Sequence, residues 1–157
     1  KKNIFDVSRS YKRSLYTEAV AKKASELAKL EVIRSYVLLK QIQTIKSYPK
    51  KFKGIILEGR DCGTVIAPKA DIKFFLNAKV EIRAKRRYKQ LLMERDGVTY
   101  KKVYLDLLAR DKNDRSRLLS PLKIADDANE IDCSNTNIEE TIMIVKKIIL
   151  SKLPYFK

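Results

Sequence analysis

The sequence predicts an α/β fold with a parallel sheet. Short continuous apolar runs, typical of strands buried on both faces, alternate with longer segments whose apolar residues recur at helical spacing. Strands that alternate with helices are typical of layered α/β proteins. The length of 157 residues and the 45% hydrophobic content suit one domain with one buried core. We therefore expect a single domain over residues 1–157, helical over about 1–50 and α/β from about 51 onward.

The elements are predicted in order from the period of the apolar residues. Residues 1–15 have no clear periodicity and are interpreted as a loop or frayed helix, and Thr17 to Tyr48 predicts two helices that break near Leu30. Strands are predicted at Gly54–Leu57, Ile72–Leu76 and Glu130–Cys133. Further helices are predicted at about Lys79–Arg95, Tyr100–Asn113 and Ile138–Leu150. Thr136 and Glu139 have the spacing of a capping box before the last helix.

Composition and charge narrow the classes of function. The chain has 35 Lys and Arg against 19 Asp and Glu, a net charge of +16, which indicates an anionic partner or only a solvated basic surface. Two Cys and no His argue against a zinc cluster and a disulfide scaffold. No apolar run reaches the ~18–20 residues of a membrane span, and no signal-peptide pattern is seen, so a cytoplasmic location without membrane contact is expected.

One basic stripe lies on the helix predicted after the second strand. Arg83, Arg86, Arg87 and Gln90 fall at i, i+3, i+4 and i+7, on one helix face. Guanidinium groups aligned in this way suit a clamp on phosphates. A solvated basic face, tied to nearby glutamates, is the alternative.

A second stripe interleaves acidic and basic side chains. Arg110, Asp114 and Arg117 fall at i, i+4 and i+7, and Asp111 and Arg115 form an i, i+4 pair on the neighbouring face. Interleaved carboxylates keep arginine side chains extended, as a polyphosphate site requires. An ordinary exposed helix with ion pairs of only ~0.2–0.5 kcal/mol each is the alternative.

A third feature follows the first predicted strand. Arg60 and Asp61 lie between Gly59 and Gly63, and ligands of open α/β sheets bind beyond the carboxyl ends of strands. A plain turn with a surface ion pair is the alternative. Cys62 is not expected to act as a nucleophile, because the sequence offers no His to serve as its base.

These residues fall in ordered motifs that resemble those of bacterial cytidylate kinases, over nearly the whole chain from about Asp6. Upstream, Ser25 and Arg34 are similar to that family's nucleoside-binding helices. The motifs are Glu58-Gly59-Arg60-Asp61-x-Gly63-Thr64, Lys73-x-Phe75-Leu76, Arg83-Ala84-x-Arg86-Arg87-x-x-Gln90-Leu91 and Arg110-Asp111-x-x-Asp114-x-x-Arg117-x-x-Ser120-Pro121-Leu122.

The resemblance implies phosphoryl transfer from ATP to CMP or dCMP with Mg²⁺, which enters bound to ATP rather than to protein ligands. It implies a three-layer α/β/α P-loop kinase fold, with a nucleoside-monophosphate-binding region over about 1–50 and a lid over about 83–117. Its roles, carried over by position, divide the residues into three groups. The cytosine is recognised by Ser25, Arg34 and Asp61. The CMP phosphate is held by Arg60 and Arg110, while Asp114 and Arg117 contact the sugar and position the acceptor. The ATP phosphates are approached by Arg83, Arg86 and Arg87. Arg60, Arg110 and Arg117 are the expected catalytic residues.

One part of the family pattern is missing from the sequence. The family opens with a strand, a G-x-x-x-x-G-K-[ST] phosphate loop and a helix, and the glycines at 54, 59, 63 and 97 cannot build that loop. We expect that on the order of 50–70 residues have been omitted. Without them the chain is expected not to turn over, since nothing would hold the β- and γ-phosphates.

Three other interpretations stay open. A uridylate- or thymidylate-type kinase is the near alternative, and a small basic nucleic-acid-binding module and a non-catalytic remnant are the others. The nucleic-acid module predicts that affinity falls with salt. The slope of log K against log salt concentration would be roughly −0.9 for each DNA phosphate neutralised. We expect a monomer that binds ATP and CMP or dCMP and no nucleic acid.

Overall fold

The computed structural model describes residues 18–47, 53–93 and 97–154. The chain divides into two compact units, Lys1–Ile55 and Ile56–Lys157, and each is described here by itself. The loop or frayed helix predicted over residues 1–15 lies outside the described residues. The expectation of a single domain stays a prediction.

The first unit contains the two helices that the apolar spacing predicts. Helix α1 spans Glu18–Leu27 and helix α2 spans Glu31–Lys46. The break falls at Leu30, which precedes α2 in an extended conformation with φ −79° and ψ 120°. None of the α2 side chains is buried, and Val32 remains 80% exposed.

The second unit contains a small parallel sheet and three helices. Strand β1 (Phe74–Asn77) pairs in parallel with strand β2 (Asn129–Asp132), so that Phe74 lies opposite Asn129 and Asn77 opposite Asp132. Helices α3 (Val80–Leu92) and α4 (Tyr100–Ser116) lie between the strands in sequence, and α5 (Ile138–Lys152) follows them. The prediction of parallel strands separated by helices is confirmed here, although the described part is mostly helical.

The prediction of a strand at Gly54–Leu57 is wrong. Residues 54–58 form no strand, and Ile56 is 98% exposed instead of buried on both faces. A strand requires a neighbouring backbone to complete its ladder of hydrogen bonds. Among the described segments, only β1 and β2 pair in this way, so the apolar run has no partner there.

The core of the second unit is small. Ala78, Ile131 and Cys133 are buried together, with Phe74, Val145 and Ile148 packed against them. Cys133 is therefore a core residue, as expected. Helices α3 and α4 pack on each other, and Ala84, Leu91 and Val103 are buried.

The cap of α5 lies one residue beyond the predicted capping box. Asn137 and Glu140, not Thr136 and Glu139, exchange the reciprocal side-chain to backbone hydrogen bonds, both 2.8 Å long. The sequence carries two overlapping sets with the same spacing, and the extended backbone at Asn137 selects the second.

Two carboxylates predict a loss of stability in acid. Hydrogen bonds from Ser134 lower the pKa of Asp132, and the hydrogen bond from Lys73 lowers the pKa of Asp127. A folded-state pKa below the unfolded one gives stability that is present above the unfolded pKa and lost as pH falls through the folded pKa. We expect the melting temperature to fall as the pH drops below about 4, the ordinary range of these carboxyl groups, and Asp132→Asn to flatten that fall.

Thermal unfolding followed by circular dichroism checks this prediction. The matched control is Asp71→Asn, because Asp71 is exposed and its carboxylate contacts no other described residue. If the melting temperature of Asp132→Asn falls with pH as steeply as that of Asp71→Asn, the prediction is wrong.

Candidate functional site

The loop after the apolar run turns sharply at Arg60 and Asp61. Residues Cys62–Ile66 form a π-helical turn, and the Asp61 carbonyl accepts hydrogen bonds from the Val65 and Ile66 amides at 2.8 and 3.1 Å. A Cβ added at Gly59 would lie 2.8 Å from the Cys62 sulfur, so a side chain at this position would require that sulfur to move. The loop therefore fixes Arg60 and Asp61 at the start of a hydrogen-bonded turn.

Arg60, Asp61, Asp114 and Arg117 form a cluster of alternating charges, called here the four-charge cluster. The Arg60 Nε donates to the Asp114 Oδ2 over 2.8 Å. The Arg117 Nη1 lies 3.9 Å from the Asp114 Oδ1, and its Nη2 lies 4.0 Å from the Asp61 Oδ2. Two segments 54 residues apart thus bring together four of the residues singled out from the sequence.

Arg117 occupies an unusual position within the four-charge cluster. Its Nε donates to the Ser120 carbonyl over 2.5 Å, while its Nη2 is buried without a hydrogen-bond partner among the described residues. The 4.0 Å to Asp61 allows electrostatic attraction but is too long for a hydrogen bond. A buried donor with no acceptor costs roughly 1–3 kcal/mol, so the other contacts of this guanidinium must hold it in place.

The turn after α4 holds Arg117 in this place. Ser120 has a positive φ of 49°, uncommon for a residue other than glycine, and the Leu122 amide donates to the Asp114 carbonyl over 2.7 Å. Arg117 itself lies just beyond the helix, with ψ 139°. The chain therefore folds back on the end of α4 and closes around the guanidinium.

The pairing predicted along α4 is wrong in two respects. Asp114 pairs with Arg60 and Arg117, whereas Arg110 is exposed and forms no ion pair within the described part of the chain. Asp111 pairs with Arg83 of α3 and not with Arg115. Arg83 and Arg60, from other segments, reach these carboxylates, and the Arg110 guanidinium forms no hydrogen bond with another described residue.

The three arginines of the α3 stripe have different partners. Arg83 binds both carboxylate oxygens of Asp111, at 3.0 and 2.6 Å. Arg86 donates from Nη2 to the carbonyls of Cys133 and Thr136, at 2.7 and 2.8 Å, and Arg87 donates from Nη1 to Gln90. Their predicted contact with ATP stays a prediction.

Ser25 and Arg34 lie in the first unit. Ser25 is exposed on α1, and the half-buried Arg34 donates from Nε to the Ala28 carbonyl over 3.0 Å. This hydrogen bond crosses the break between α1 and α2 and orients the Arg34 side chain.

Comparison with known proteins decides the family. A family model described as cytidylate kinase matches residues 2–151. The chain belongs to the cytidylate kinase family. It is 39% identical over 150 residues to the cytidylate kinase of Thermosipho melanesiensis, covering 96% of this chain and 67% of that protein. It is 42% identical to the cytidylate kinase of Actinobacillus succinogenes over 87% of this chain and 58% of that protein.

The chain is shorter than these relatives of the cytidylate kinase family. It spans 57% of the cytidylate kinase of Bartonella bacilliformis, to which it is 40% identical over 126 residues. Among its described helices, none has the length and apolar character needed to cross a bilayer. The described residues also include no group of three or more carboxylates and cysteines placed to hold a metal ion.

Sequence reasoning gave no role to Lys73, which the structure places at a junction. Its buried ammonium donates to the Pro68 carbonyl at 2.6 Å and to Asp127 at 2.8 Å, beside an open cleft of about 460 Å³. A Cβ added at Gly63 would lie 3.3 Å from the Lys73 side chain. Lys73 therefore ties the end of the Arg60–Asp61 loop to the start of β1. A charged lysine inside the otherwise apolar predicted strand Ile72–Leu76 was the signal available for this role.

The surroundings of Cys62 disfavour its thiolate form. Burial, and then the nearby carboxylates of Asp61 and Glu58, raise the pKa of its thiol. The thiolate is the nucleophilic form, and these surroundings disfavour it. That Cys62 is not a nucleophile stays a prediction.

Proposed function

We propose that the complete protein transfers the γ-phosphoryl group of MgATP to CMP or dCMP. The observation that supports this most strongly is the four-charge cluster. Residues that the family resemblance assigns to the acceptor nucleotide make three contacts of 2.8–4.0 Å: Arg60 with Asp114, and Arg117 with both Asp114 and Asp61. An exposed ion pair alone would not bury a guanidinium nitrogen, whereas the Arg117 Nη2 is buried and has no hydrogen-bond partner among the described residues.

The charge balance of this region suits a monophosphate. Two arginines and two aspartates neutralise each other within the four-charge cluster. Arg110 lies four residues before Asp114 on α4, forms no ion pair with another described residue, and adds one positive charge. We assign Arg60 and Arg110 to the CMP phosphate, and Asp114 and Arg117 to the sugar. Asp61, with Ser25 and Arg34, reads the cytosine, whose amine needs an acceptor and whose ring nitrogen and oxygen need donors.

In the proposed reaction, an oxygen of the CMP phosphate attacks the γ-phosphorus of ATP. The bond from that phosphorus to the β–γ bridging oxygen breaks, and ADP leaves as CDP forms. Such transfers depend on positioning and on stabilisation of charge, so arginines and aspartates suffice without a histidine base. Mg²⁺ arrives as part of the MgATP substrate and neutralises charge on its phosphates.

The donor side of the site is proposed from the resemblance. Arg86 and Arg87 retain unused N–H groups after the contacts described above, and both lie in the segment proposed as the lid, about residues 83–117. The three-layer P-loop kinase fold, the cytoplasmic location and the monomeric state are part of the same proposal. Because the sequence contains no Gly-rich phosphate loop, we expect the 157 residues alone to bind CMP without turning it over.

A panel of acceptors tests the proposed function. Initial rates are measured for the complete gene product with MgATP and with CMP, dCMP, UMP and dTMP in turn. CMP and dCMP are expected to give the highest kcat/KM. Preference for UMP or dTMP would contradict the proposal. So would the absence of kinase activity together with binding to duplex DNA whose dependence on salt indicates that several phosphates are neutralised.

A further inference from the structure

The Arg83 guanidinium donates three hydrogen bonds to other residues of the protein. Besides its fork on Asp111, its Nε donates to the Ala78 carbonyl over 2.8 Å. A bidentate pair between arginine and carboxylate is among the strongest and most directional of polar contacts. The Arg83 and Asp111 side chains are only 32% and 28% exposed, so solvent screens the pair less than it screens a surface ion pair. Arg83 therefore joins the start of α3 to the body of α4.

Helix α4 is held in the same way one turn further on. Asp114 lies three residues after Asp111, and Arg60 binds it from the loop. Residues three apart are neighbours on a helix surface. Arginines from two different segments thus grip two adjacent carboxylates of α4, and this fixes the rotation of the helix about its own axis. That rotation sets the direction in which the unpaired Arg110 projects.

We propose that Arg83 is a positioning residue for the acceptor site and not a ligand of ATP. It acts through Asp111, holding α4 so that Arg110 and Asp114 face Arg60 and Asp61. The inference rests on the proposed function, because the acceptor it concerns is CMP or dCMP. It assigns a role to Asp111, and it leaves the donor phosphates to Arg86 and Arg87.

A double-mutant cycle on the complete protein tests this inference. Arg83→Gln and Asp111→Asn each remove the fork, and each is expected to lower kcat/KM for CMP by on the order of 10- to 100-fold. The double variant is expected to be no worse than the poorer single variant, because both changes remove one shared contact. The KM for MgATP should stay within about twofold of the wild-type value in all three.

Matched controls separate this effect from a loss of surface charge. Arg115→Gln and Asp106→Asn change exposed α4 residues that form no side-chain contact with other described residues, and both should behave as the wild type. Because Asp111→Asn keeps the shape of the side chain, it tests the inference even if Arg83→Gln folds poorly. Thermal unfolding of each variant shows which rates come from folded protein.

Different results would contradict the proposed function and the positioning role of Arg83. If the wild type phosphorylates neither CMP nor dCMP, the proposed function is wrong. If it does, but Arg83→Gln raises the KM for MgATP about tenfold or more and Asp111→Asn changes neither KM, the positioning role is wrong. The Arg110 Nε–Hε NMR signal gives a readout without turnover, since both single variants should shift it alike. A signal that neither variant moves would also overturn the inference.

Discussion

Arg110→Gln is expected to lower kcat for CMP phosphorylation by about 10²–10³-fold without lowering the melting temperature. The side chain is exposed and forms no ion pair within the described part of the chain, so its removal leaves no partner unsatisfied. A guanidinium that stabilises developing charge on a transferring phosphoryl group contributes to rate and not to folding. Steady-state kinetics and thermal unfolding of the complete protein check the two halves of this prediction.

Arg115→Gln is the matched control for this variant. It removes the same charge from the same helix, at an exposed position to which no role is assigned. A fall in rate in both variants would assign the effect to net charge. Near-wild-type turnover in Arg110→Gln would remove Arg110 from the site.

Asp61→Ala is expected to lower kcat/KM for CMP by on the order of 10³-fold, and to reduce the preference for CMP over UMP even more clearly. A site that hydrogen-bonds a substrate amine discriminates strongly against a substrate that lacks it, and Asp61 is the proposed acceptor for that amine. The variant also leaves the Arg117 Nη2 without its nearest carboxylate. The ratio of kcat/KM for CMP to that for UMP is the quantity to measure.

Asp71→Asn serves again as the control, as an exposed carboxylate outside the cluster. The assignment of Asp61 to the base would be wrong if CMP and UMP lost equal activity in Asp61→Ala. Equal losses would indicate that Asp61 acts only by holding Arg117.

Local sequence patterns predicted most of the elements, but they also predicted a strand where the structure has none. The break at Leu30 and the parallel β1–β2 pair follow from the periodicity of nearby residues. The run Gly54–Leu57 has the composition of a buried strand, yet a strand also depends on a neighbour that the run itself cannot specify. The capping box at Asn137 is a smaller example. Two overlapping residue pairs have the required spacing, and the backbone conformation at Asn137 determines which pair forms the cap.

The site shows a similar division between what spacing reveals and what it hides. Helical spacing identified Asp111 and Asp114 as paired carboxylates, but it offered only partners on their own helix. The spacing did predict Arg117, which lies 3.9 Å from Asp114, but the other partners, Arg83 and Arg60, lie 28 and 54 residues away. Contacts of this length depend on how the elements pack, which a single sequence does not display. The resemblance to a family identified the residues of the four-charge cluster because it compares whole folds.

The structure of the CMP complex tests the central claim most directly. The account predicts one CMP molecule with Asp61 and Arg34 at the base, Arg117 within hydrogen-bond distance of the nucleoside, and Arg60 and Arg110 at the phosphate. The Arg117 Nη2 should gain the acceptor that it lacks here. A CMP molecule bound away from the four-charge cluster, with Arg117 still unpartnered, would contradict the account.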